Sequence, residues 1–216
     1  MQSVVTNNPA EDVLALVDNL SRGFIDSVTE IRFNTAQNDM EREEVYRLRY
    51  RVVVERGWVT SNEFPDGMER DHFDTNAIHI TGWDGNVLAA TSRLVLPRSG
   101  EVLPTEEAFN IQIEPRGRVT DMGRQIVARE YSSIRHKVFA ALLAKTWLEI
   151  RAYGYSLVCG DFSPTVTRLY RMMGFDVRQL GPSGKFWGEE RAPIMVDIAN
   201  SASALIDRWG NNSSTA

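Results

Sequence analysis

Two aspartates and two arginines in this sequence have the types and spacing of a charged site within a sheet. Asp71 and Asp74 lie three residues apart in segment 68–74, which has no helical pattern of its own. Arg93 and Arg124 each interrupt an apolar, strand-like run. Because an unpaired buried ion is costly, the aspartates are the expected partners of the arginines. The pattern therefore predicts a polar, charged site inside an otherwise apolar sheet.

Two interpretations of this charged set stay open on residue types alone. In the first, the carboxylates and guanidinium groups form a functional site. In the second, Asp71, Asp74, Arg93 and Arg124 form a structural ion network that does no chemistry. The choice depends on the elements that position these residues.

Hydrophobic periodicity predicts an alternation of helices and strands along the chain. The predicted helices cover residues 10–24, 39–55 (with Asp39 as N-cap), 133–153 and 164–173. The predicted strands cover 28–33, 79–83, 87–96, 118–127, 157–160, 175–180 and 194–198. Segments 58–75 and 97–115 are predicted to be loops, and Asp-Gly-Asn at 84–86 predicts a hairpin turn. This order indicates an α/β protein with a mixed sheet covered on both faces by helices.

Composition and charge narrow the class of protein. The chain has 216 residues, 43% of them hydrophobic, which predicts one domain over residues 1–200 and a partly disordered tail over 201–216. The net charge of −5 argues against a nucleic-acid binder, and no apolar run approaches the length that spans a bilayer. The lone Cys159 and a start without signal-peptide features predict a cytoplasmic protein. The scattered His72, His79 and His136 predict no metal site.

Five segments in one order resemble a known family. They are 48–58 (LRYRVVVERGW), 69–74 (ERDHFD), 92–94 (SRL), 121–124 (DMGR) and 169–175 (LYRMMGF). They are similar to the acyl-homoserine lactone (autoinducer) synthases and the related N-acyl amino acid synthases, both of the GNAT acetyltransferase fold. The resemblance covers residues 40–198 and implies a GNAT-like acyl-CoA N-acyltransferase fold, in which helices flank a central mixed sheet.

The resemblance also implies roles for individual residues. The amine-substrate pocket would be formed by six residues, namely Arg49, Val53, Trp58, Asp71, Asp74 and Arg93. Asp121 and Arg124 would be catalytic, with Asp121 accepting the proton of the amine directly or through water. Backbone N–H groups after Arg124 would stabilise the oxyanion. Two positions depart from the family, which usually has an aromatic residue at Val53 and a glutamate at Asp121.

The implied reaction is N-acyl transfer from acyl carrier protein or acyl-CoA to the amine of S-adenosylmethionine, followed by lactonisation to an acyl-homoserine lactone. No tightly bound cofactor is implied. One alternative is an N-acyl amino acid synthase that acylates a free amino acid, and the two departures above keep it open. Another is a degenerate, non-catalytic acyl-binding module.

The junction before the long helix bears on the acyl donor. Acetyl-CoA-using members of the fold have a glycine-rich loop there that holds the pyrophosphate, whereas residues 127–137 contain no glycine. The usual cradle is therefore not expected. Five basic residues predict the docking of an acidic acyl carrier protein instead: Arg135, His136, Lys137, Lys145 and Arg151. The alternative is that they form the solvated face of an amphipathic helix.

Overall fold

The computed structural model describes residues 9–186 and 188–210. In this range the α-helices are α1 (Pro9–Asp26), α2 (Asp39–Glu55), α3 (Pro104–Phe109), α4 (Arg135–Ala152), α5 (Pro164–Met173) and α6 (Ile198–Trp209). The strands are β1 (Arg32–Thr35), β2 (Ile78–Asp84), β3 (Val87–Val95), β4 (Val119–Val127), β5 (Leu157–Phe162), β6 (Asp176–Gln179), β7 (Gly184–Phe186) and β8 (Glu189–Asp197). Short 3₁₀ helices cover Ser61–Glu63, His72–Asn76 and Arg129–Ile134.

The strands form one mixed sheet in the order β1-β2-β3-β4-β5-β8-β6, with β7 paired to β8. Neighbours are antiparallel except β4 and β5, which run parallel. The predicted hairpin is confirmed, since Asp84 pairs directly with Val87 across a two-residue loop. The mixed α/β sheet predicted from the sequence is therefore confirmed.

The two faces of the sheet carry different layers. Because side chains alternate along a strand, Leu94 and Val158 point into a core with helices α1 and α4, while Val95 and Cys159 point to the other face. On that second face they pack with Leu103, which precedes α3. Helix α2 packs over β2, β3 and β4. The first face thus holds the main apolar core, and the second face carries the charged residues.

Strands β4 and β5 separate in the middle of the sheet. Their parallel pairing covers only Val119–Asp121 against Leu157–Cys159, although β4 continues to Val127 and β5 to Phe162. Beyond that point β4 remains paired with β3, and β5 remains paired with β8. The sheet therefore contains a wedge-shaped opening that begins just after the pair formed by Asp121 and Cys159.

Gly160 lies where the two strands part, and we predict that this position requires glycine. A Cβ atom there would lie 2.6 Å from the Met122 carbonyl oxygen and 3.0 Å from the Phe162 ring. The backbone oxygen cannot move away as a flexible side chain could. Gly160→Ala should lower the free energy of unfolding by about 1–3 kcal/mol, as overpacking typically does. Urea unfolding measures this difference.

Gly123, across the same opening, is the matched control. A Cβ atom on Gly123 would meet nothing within 4 Å. Gly123→Ala should therefore change the free energy of unfolding by less than about 0.5 kcal/mol. Equal stability losses in the two variants would contradict the steric argument for Gly160.

Several predicted boundaries are wrong for local physical reasons. Strand β1 begins at Arg32 rather than residue 28, because Val28 and Ile31 are buried in the preceding turn. The N-cap of α2 is Asn38, whose side chain accepts from the Glu41 N–H, and not Asp39. Segment 97–115 is not wholly irregular, since it contains α3. The short strand β7 was not predicted.

The predicted tail boundary at residue 200 also needs correction. Residues 198–209 form helix α6, whose Ser201, Ala202 and Leu205 are buried against the rest of the fold. The folded unit therefore continues past residue 200 by a full helix, because the apolar positions of α6 share one face. Residues 211–216, which belong to the same predicted tail, lie outside the described range. Within the described range, no helix combines the length and apolar character needed to cross a membrane.

Candidate active site

The segment that contains Asp71 and Asp74 is folded by its own carboxylates. The Asp71 side chain accepts from the Phe73 N–H at 3.0 Å, and Asp74 accepts from the Asp71 N–H at 2.8 Å. This reciprocal capping box starts the 3₁₀ helix His72–Asn76. The three-residue spacing thus holds both carboxylates on one side of the turn, facing the sheet.

The ion pairing predicted from the sequence is confirmed. Arg93 contacts Asp71 at 2.6 Å and Asp74 at 3.3 Å. Arg124 contacts Asp71 at 3.1 Å, and its second carboxylate is Glu69, also at 3.1 Å. The two arginines on neighbouring strands therefore share one aspartate between them.

Arg49 of helix α2 belongs to the same ion network. Its guanidinium donates two hydrogen bonds to Asp74, at 2.7 and 3.0 Å, and a third to Glu69. The Arg49 side chain is fully buried, and both carboxylates are nearly so. Burial by itself raises the pKa of Asp74, but Arg49 and Arg93 overcome this effect and hold that pKa below its ordinary value.

Glu69 is the member of this network that sequence reasoning missed. Burial raises its pKa, and the neighbouring Arg124 and Arg49 outweigh burial, so that its pKa is lowered overall. The sequence signal that could have identified Glu69 is its position two residues before Asp71, in the same segment. A further carboxylate there was needed, since three arginines converge on this segment and Asp71 and Asp74 alone would leave one charge underpaired.

The network has a buried end and an accessible end. Arg49, Glu69, Asp74 and Arg93 are at most a few per cent exposed, whereas the side chains of Asp71 and Arg124 are 28% and 18% exposed. The buried residues are placed to stabilise the fold, whereas Asp71, Arg93 and Arg124 also line a pocket.

His79 of β2 lies beside the buried end and gives the network a pH dependence. Its Nε2 is 3.4 Å from the Tyr46 hydroxyl and 3.8 Å from Asp74. Burial, followed by repulsion from Arg49 and Arg93, lowers the pKa of His79 to about 4, against the pull of Asp74. The folded protein therefore keeps this imidazole neutral at a pH where the unfolded chain protonates it.

We predict that this depressed pKa makes stability fall as the pH drops below about 6.5, the ordinary value for histidine. The unfolded state binds more protons in this window, so stability is complete above it and declines toward the folded pKa of about 4. The expected loss from pH 7 to pH 5 is roughly 2 kcal/mol. His79→Gln should flatten this part of the curve, measured by urea unfolding at stepped pH.

His72 provides the control for this titration because its side chain is exposed. His72→Gln should leave the slope of stability between pH 7 and pH 5 as it is in the parent protein. A His79→Gln variant with the parent slope would contradict the assignment of this window to His79. The carboxylates Glu69 and Asp74, whose pKa values are lowered, add a further loss at still lower pH.

Arg124 reaches the pocket because β4 is bulged at this position. Thr91 of β3 pairs with Ile126, but Arg93 pairs with Gly123, so β4 contains one extra residue between them. Arg124 itself adopts a left-handed conformation with φ of 53°. Such strain outside glycine is uncommon and concentrates at functional positions. The bulge turns the guanidinium toward Asp71 and Glu69.

A pocket of about 560 Å³, partly open to solvent, lies over the opening between β4 and β5. Its wall is formed by residues of β3, β4, β5, the 69–74 segment and α3, with Phe186 at one side. The charged residues that line it are Asp71, Arg93, Glu107, Asp121, Arg124 and Asp161. Four carboxyl groups and two guanidinium groups thus line the same pocket.

Asp121 is in the pocket wall but outside the ion network. Its Oδ2 accepts from the Thr105 N–H at 2.8 Å and lies 3.4 Å from the Cys159 sulfur. Burial raises the pKa of this carboxyl, despite the hydrogen bond from Thr105. The catalytic role predicted for Asp121 stays a prediction.

Val53 and Trp58 were predicted to form the substrate pocket, but neither is among the residues that line it. Val53 is buried one helical turn after Arg49 on the same face of α2. Two guanidinium groups lie over the Trp58 ring, Arg56 at 4.8 Å and Arg191 at 5.1 Å from its centroid. Their substrate-binding roles remain predictions.

The five basic residues predicted to dock a carrier protein do not form one patch. Arg135, His136 and Lys137 are exposed in the first turn of α4. Lys145 lies about 15 Å further along the helix and pairs with Glu149 at 2.5 Å. Arg151, in the last turn, is engaged by Glu11 and Asp18 of α1. Lys145 and Arg151 thus pair with acidic residues of the fold, and the docking role of all five residues stays a prediction.

An apolar cavity of about 700 Å³, counting its open mouth, lies on the other face of the sheet. Helices α1, α4 and α6 surround it, and Met122 and Val158 of the parting strands form its floor. Tyr170 of α5 also lines it, and its hydroxyl donates to Gln125 of β4 at 3.0 Å. The opening between β4 and β5 therefore lies between a charged pocket and an apolar cavity.

Comparisons with known proteins agree with this architecture. The family model described as N-acyl amino acid synthase FeeM matches residues 44–185. The structure of MesI, a CoA-dependent acyl-homoserine lactone synthase, aligns with a TM-score of 0.66 and 21% identity, over 83% of this chain and 95% of MesI. BjaI, a CoA-dependent acyl-homoserine lactone synthase solved with SAM and isopentyl-CoA, aligns with a TM-score of 0.62 and 22% identity, over 84% of this chain and 89% of BjaI. FeeM, an N-acyl amino acid synthase from uncultured soil microbes, aligns with a TM-score of 0.61 and 13% identity, over 81% of this chain and 94% of FeeM.

These structural likenesses confirm the GNAT-like fold predicted from the sequence. The match to the family model is independent of them and takes in more than half of the chain. It includes every charged residue that lines the pocket and the whole of the ion network behind it. The chain therefore belongs to the FeeM family of N-acyl amino acid synthases, and it is an acyltransferase.

Proposed function

We propose that this protein transfers an acyl group from a thioester to the amine of S-adenosylmethionine, and that lactonisation then yields an acyl-homoserine lactone. The observation that carries this proposal is the excess of carboxylates in a pocket that also holds Arg124. S-adenosylmethionine has a carboxylate, an amine and a cationic sulfonium group. An ordinary amino acid has no side-chain cation and gains less from such a pocket.

Different pocket residues bind different chemical groups of the acceptor. Arg124 donates to the α-carboxylate, since a guanidinium fork matches a carboxylate in geometry and charge. Asp71, which contacts Arg124, and Glu107 attract the sulfonium group. The amine is then left pointing at the opening between β4 and β5, where the thioester must lie.

The donor enters through that opening from the apolar side. Its acyl chain lies in the cavity under α1, α4 and α6, where burial of each methylene group contributes about 0.8 kcal/mol. Backbone N–H groups of β4 after Arg124 stabilise the oxyanion at the thioester carbonyl. The acyl group and the amine then meet at the plane of the sheet.

An acyl carrier protein is the proposed macromolecular partner, with acyl-CoA as the other possible donor. Arg135, His136 and Lys137 support it, because exposed basic residues attract an acidic carrier and speed the encounter. The junction before α4 folds as the 3₁₀ helix Arg129–Ile134 in place of a glycine-rich phosphate loop. A cytoplasmic location is part of the proposal and is supported by the free thiol of Cys159.

A free amino acid is the second candidate acceptor. The observation that favours it is the match to the N-acyl amino acid synthase family. Val53 gives it further support, because the acyl-homoserine lactone synthases usually have an aromatic residue at this position. Of the amino acids, a basic one suits the carboxylate-rich pocket best.

The test is a product analysis with a matrix of donors and acceptors. Purified protein is incubated with carrier-protein or CoA thioesters of several chain lengths, plus S-adenosylmethionine or single amino acids, and products are identified by mass spectrometry. An acyl-homoserine lactone with release of methylthioadenosine is the expected result. An acyl amino acid without methylthioadenosine would establish the second candidate. No acyl product with any pair, from folded protein, would overturn both.

A further inference from the structure

Asp161 of β5 lies in the opening between β4 and β5, just beyond the last residue pair of these strands. Cys159 forms the last pair with Asp121, and side chains two residues apart point to the same face of a sheet. Asp161 is therefore the first β5 side chain on the pocket face beyond the point of separation. It lines the charged pocket, with its side chain 21% exposed.

The carboxylate of Asp161 is held in place by a second group of residues. Arg191 of β8 donates to its Oδ2 at 2.9 Å. The guanidinium of Arg191 in turn lies over the Trp58 ring, which Arg56 also contacts. Such an arrangement fixes the direction of the carboxylate before a ligand arrives, which is the condition for efficient proton transfer.

Asp121 is less suited to accept a proton than Asp161. Its carboxylate is buried under α3 and accepts from the Thr105 N–H. Burial raises its pKa, and the negative charge of Asp161 adds to that shift. Asp161, by contrast, is partly exposed to the pocket and is held by the hydrogen bond from Arg191.

We propose that Asp161 is a catalytic residue that takes the proton from the acceptor amine. This assignment rests on the proposed function. The amine nitrogen forms a bond to the thioester carbonyl carbon, and the C–S bond breaks with its electron pair on sulfur. The proton lost by nitrogen passes to the Asp161 carboxylate and from there to the departing thiolate. Asp121 then anchors the α3 segment over the pocket through Thr105.

The experiment compares Asp161→Asn with the parent enzyme, using the donor and acceptor that give product in the matrix above. General-base catalysis is worth about 10²- to 10⁴-fold, so kcat should fall by at least about 100-fold. The KM for the acceptor should stay within about threefold, because Asp71 and Arg124 still bind it. Asp161→Glu should recover part of the lost kcat, which a merely structural defect would not allow.

Asp207, on the exposed side of α6, supplies the matched control, and Asp207→Asn should retain the parent kcat. If Asp161→Asn does not fold, Asp161→Ser takes its place with the same criteria. A kcat within threefold of the parent in a folded Asp161 variant would overturn this assignment alone. A large rise in KM with unchanged kcat would also overturn it, by making Asp161 a binding residue. No product from the parent enzyme would remove the proposed function and this assignment together.

Discussion

Replacing Arg49 by methionine is expected to lower the free energy of unfolding by about 3–5 kcal/mol, the largest stability effect that we predict. Methionine keeps most of the length of the side chain but removes the cation. Glu69 and Asp74 would then be buried with one arginine fewer, and leaving a buried charge underpaired costs more than the pair itself contributes. Urea unfolding at pH 7 measures the difference.

Arg47 is a control on the same helix. It also pairs with two carboxylates, Glu43 and Glu44, but all three side chains are about half exposed. Exposed ion pairs contribute little, so Arg47→Met should change stability by less than about 1 kcal/mol. A loss of similar size in the two variants would show that burial is not the cause. The Arg49→Met defect should also shrink at low pH, where the stranded carboxylates become protonated.

Replacing Arg124 by glutamine is expected to have the largest effect on acceptor use. Glutamine cannot form a charged, two-pronged contact with the acceptor carboxylate, and such a loss costs about 3 kcal/mol. This corresponds to a fall of about 100-fold in kcat/KM for the acceptor, expressed mainly in KM. Steady-state kinetics with a saturating acyl donor measure it.

The control for Arg124 is Arg118, an exposed residue just before β4. Arg118→Gln should leave kcat/KM within about twofold of the parent value, since surface changes of this kind are nearly neutral. Glu69 and Asp71 keep Arg49 and Arg93 as partners, so Arg124→Gln should stay folded. A folded Arg124→Gln enzyme with the parent KM would remove Arg124 from acceptor binding.

The charged network shows how much of the ion pairing can be predicted from residue types alone. Asp71, Asp74, Arg93 and Arg124 were predicted to pair because ions in an apolar sheet require partners, and the structure confirms this. The same argument did not reach Glu69, because a glutamate in a polar segment looks solvated until the packing of Arg49 is known. It also could not separate the buried members of the network from those that border the pocket.

The basic residues of α4 have different roles that residue types alone do not distinguish. Arg135 and Lys145 look equivalent in the sequence, since both are charges on an amphipathic helix. Their roles differ because Glu149 lies one turn from Lys145 and pairs with it, while Arg135 is exposed in the first turn. Arg151 is likewise taken up by α1, which follows only from how the two helices pack.

Residue types and periodicity were enough to predict the mixed α/β class, the order of the main elements and the pairing of the central charges. These features depend on periodicity, capping and the cost of an unpaired buried ion, which are local effects or follow from residue type. Which carboxylates line the pocket became apparent only from the packing of distant strands. The bulge at Arg124 and the parting of β4 from β5 arise from pairings between distant strands. They place Asp161 at the pocket and Asp121 beneath α3, although in the sequence Asp121 is an acid in a predicted strand and Asp161 directly follows one.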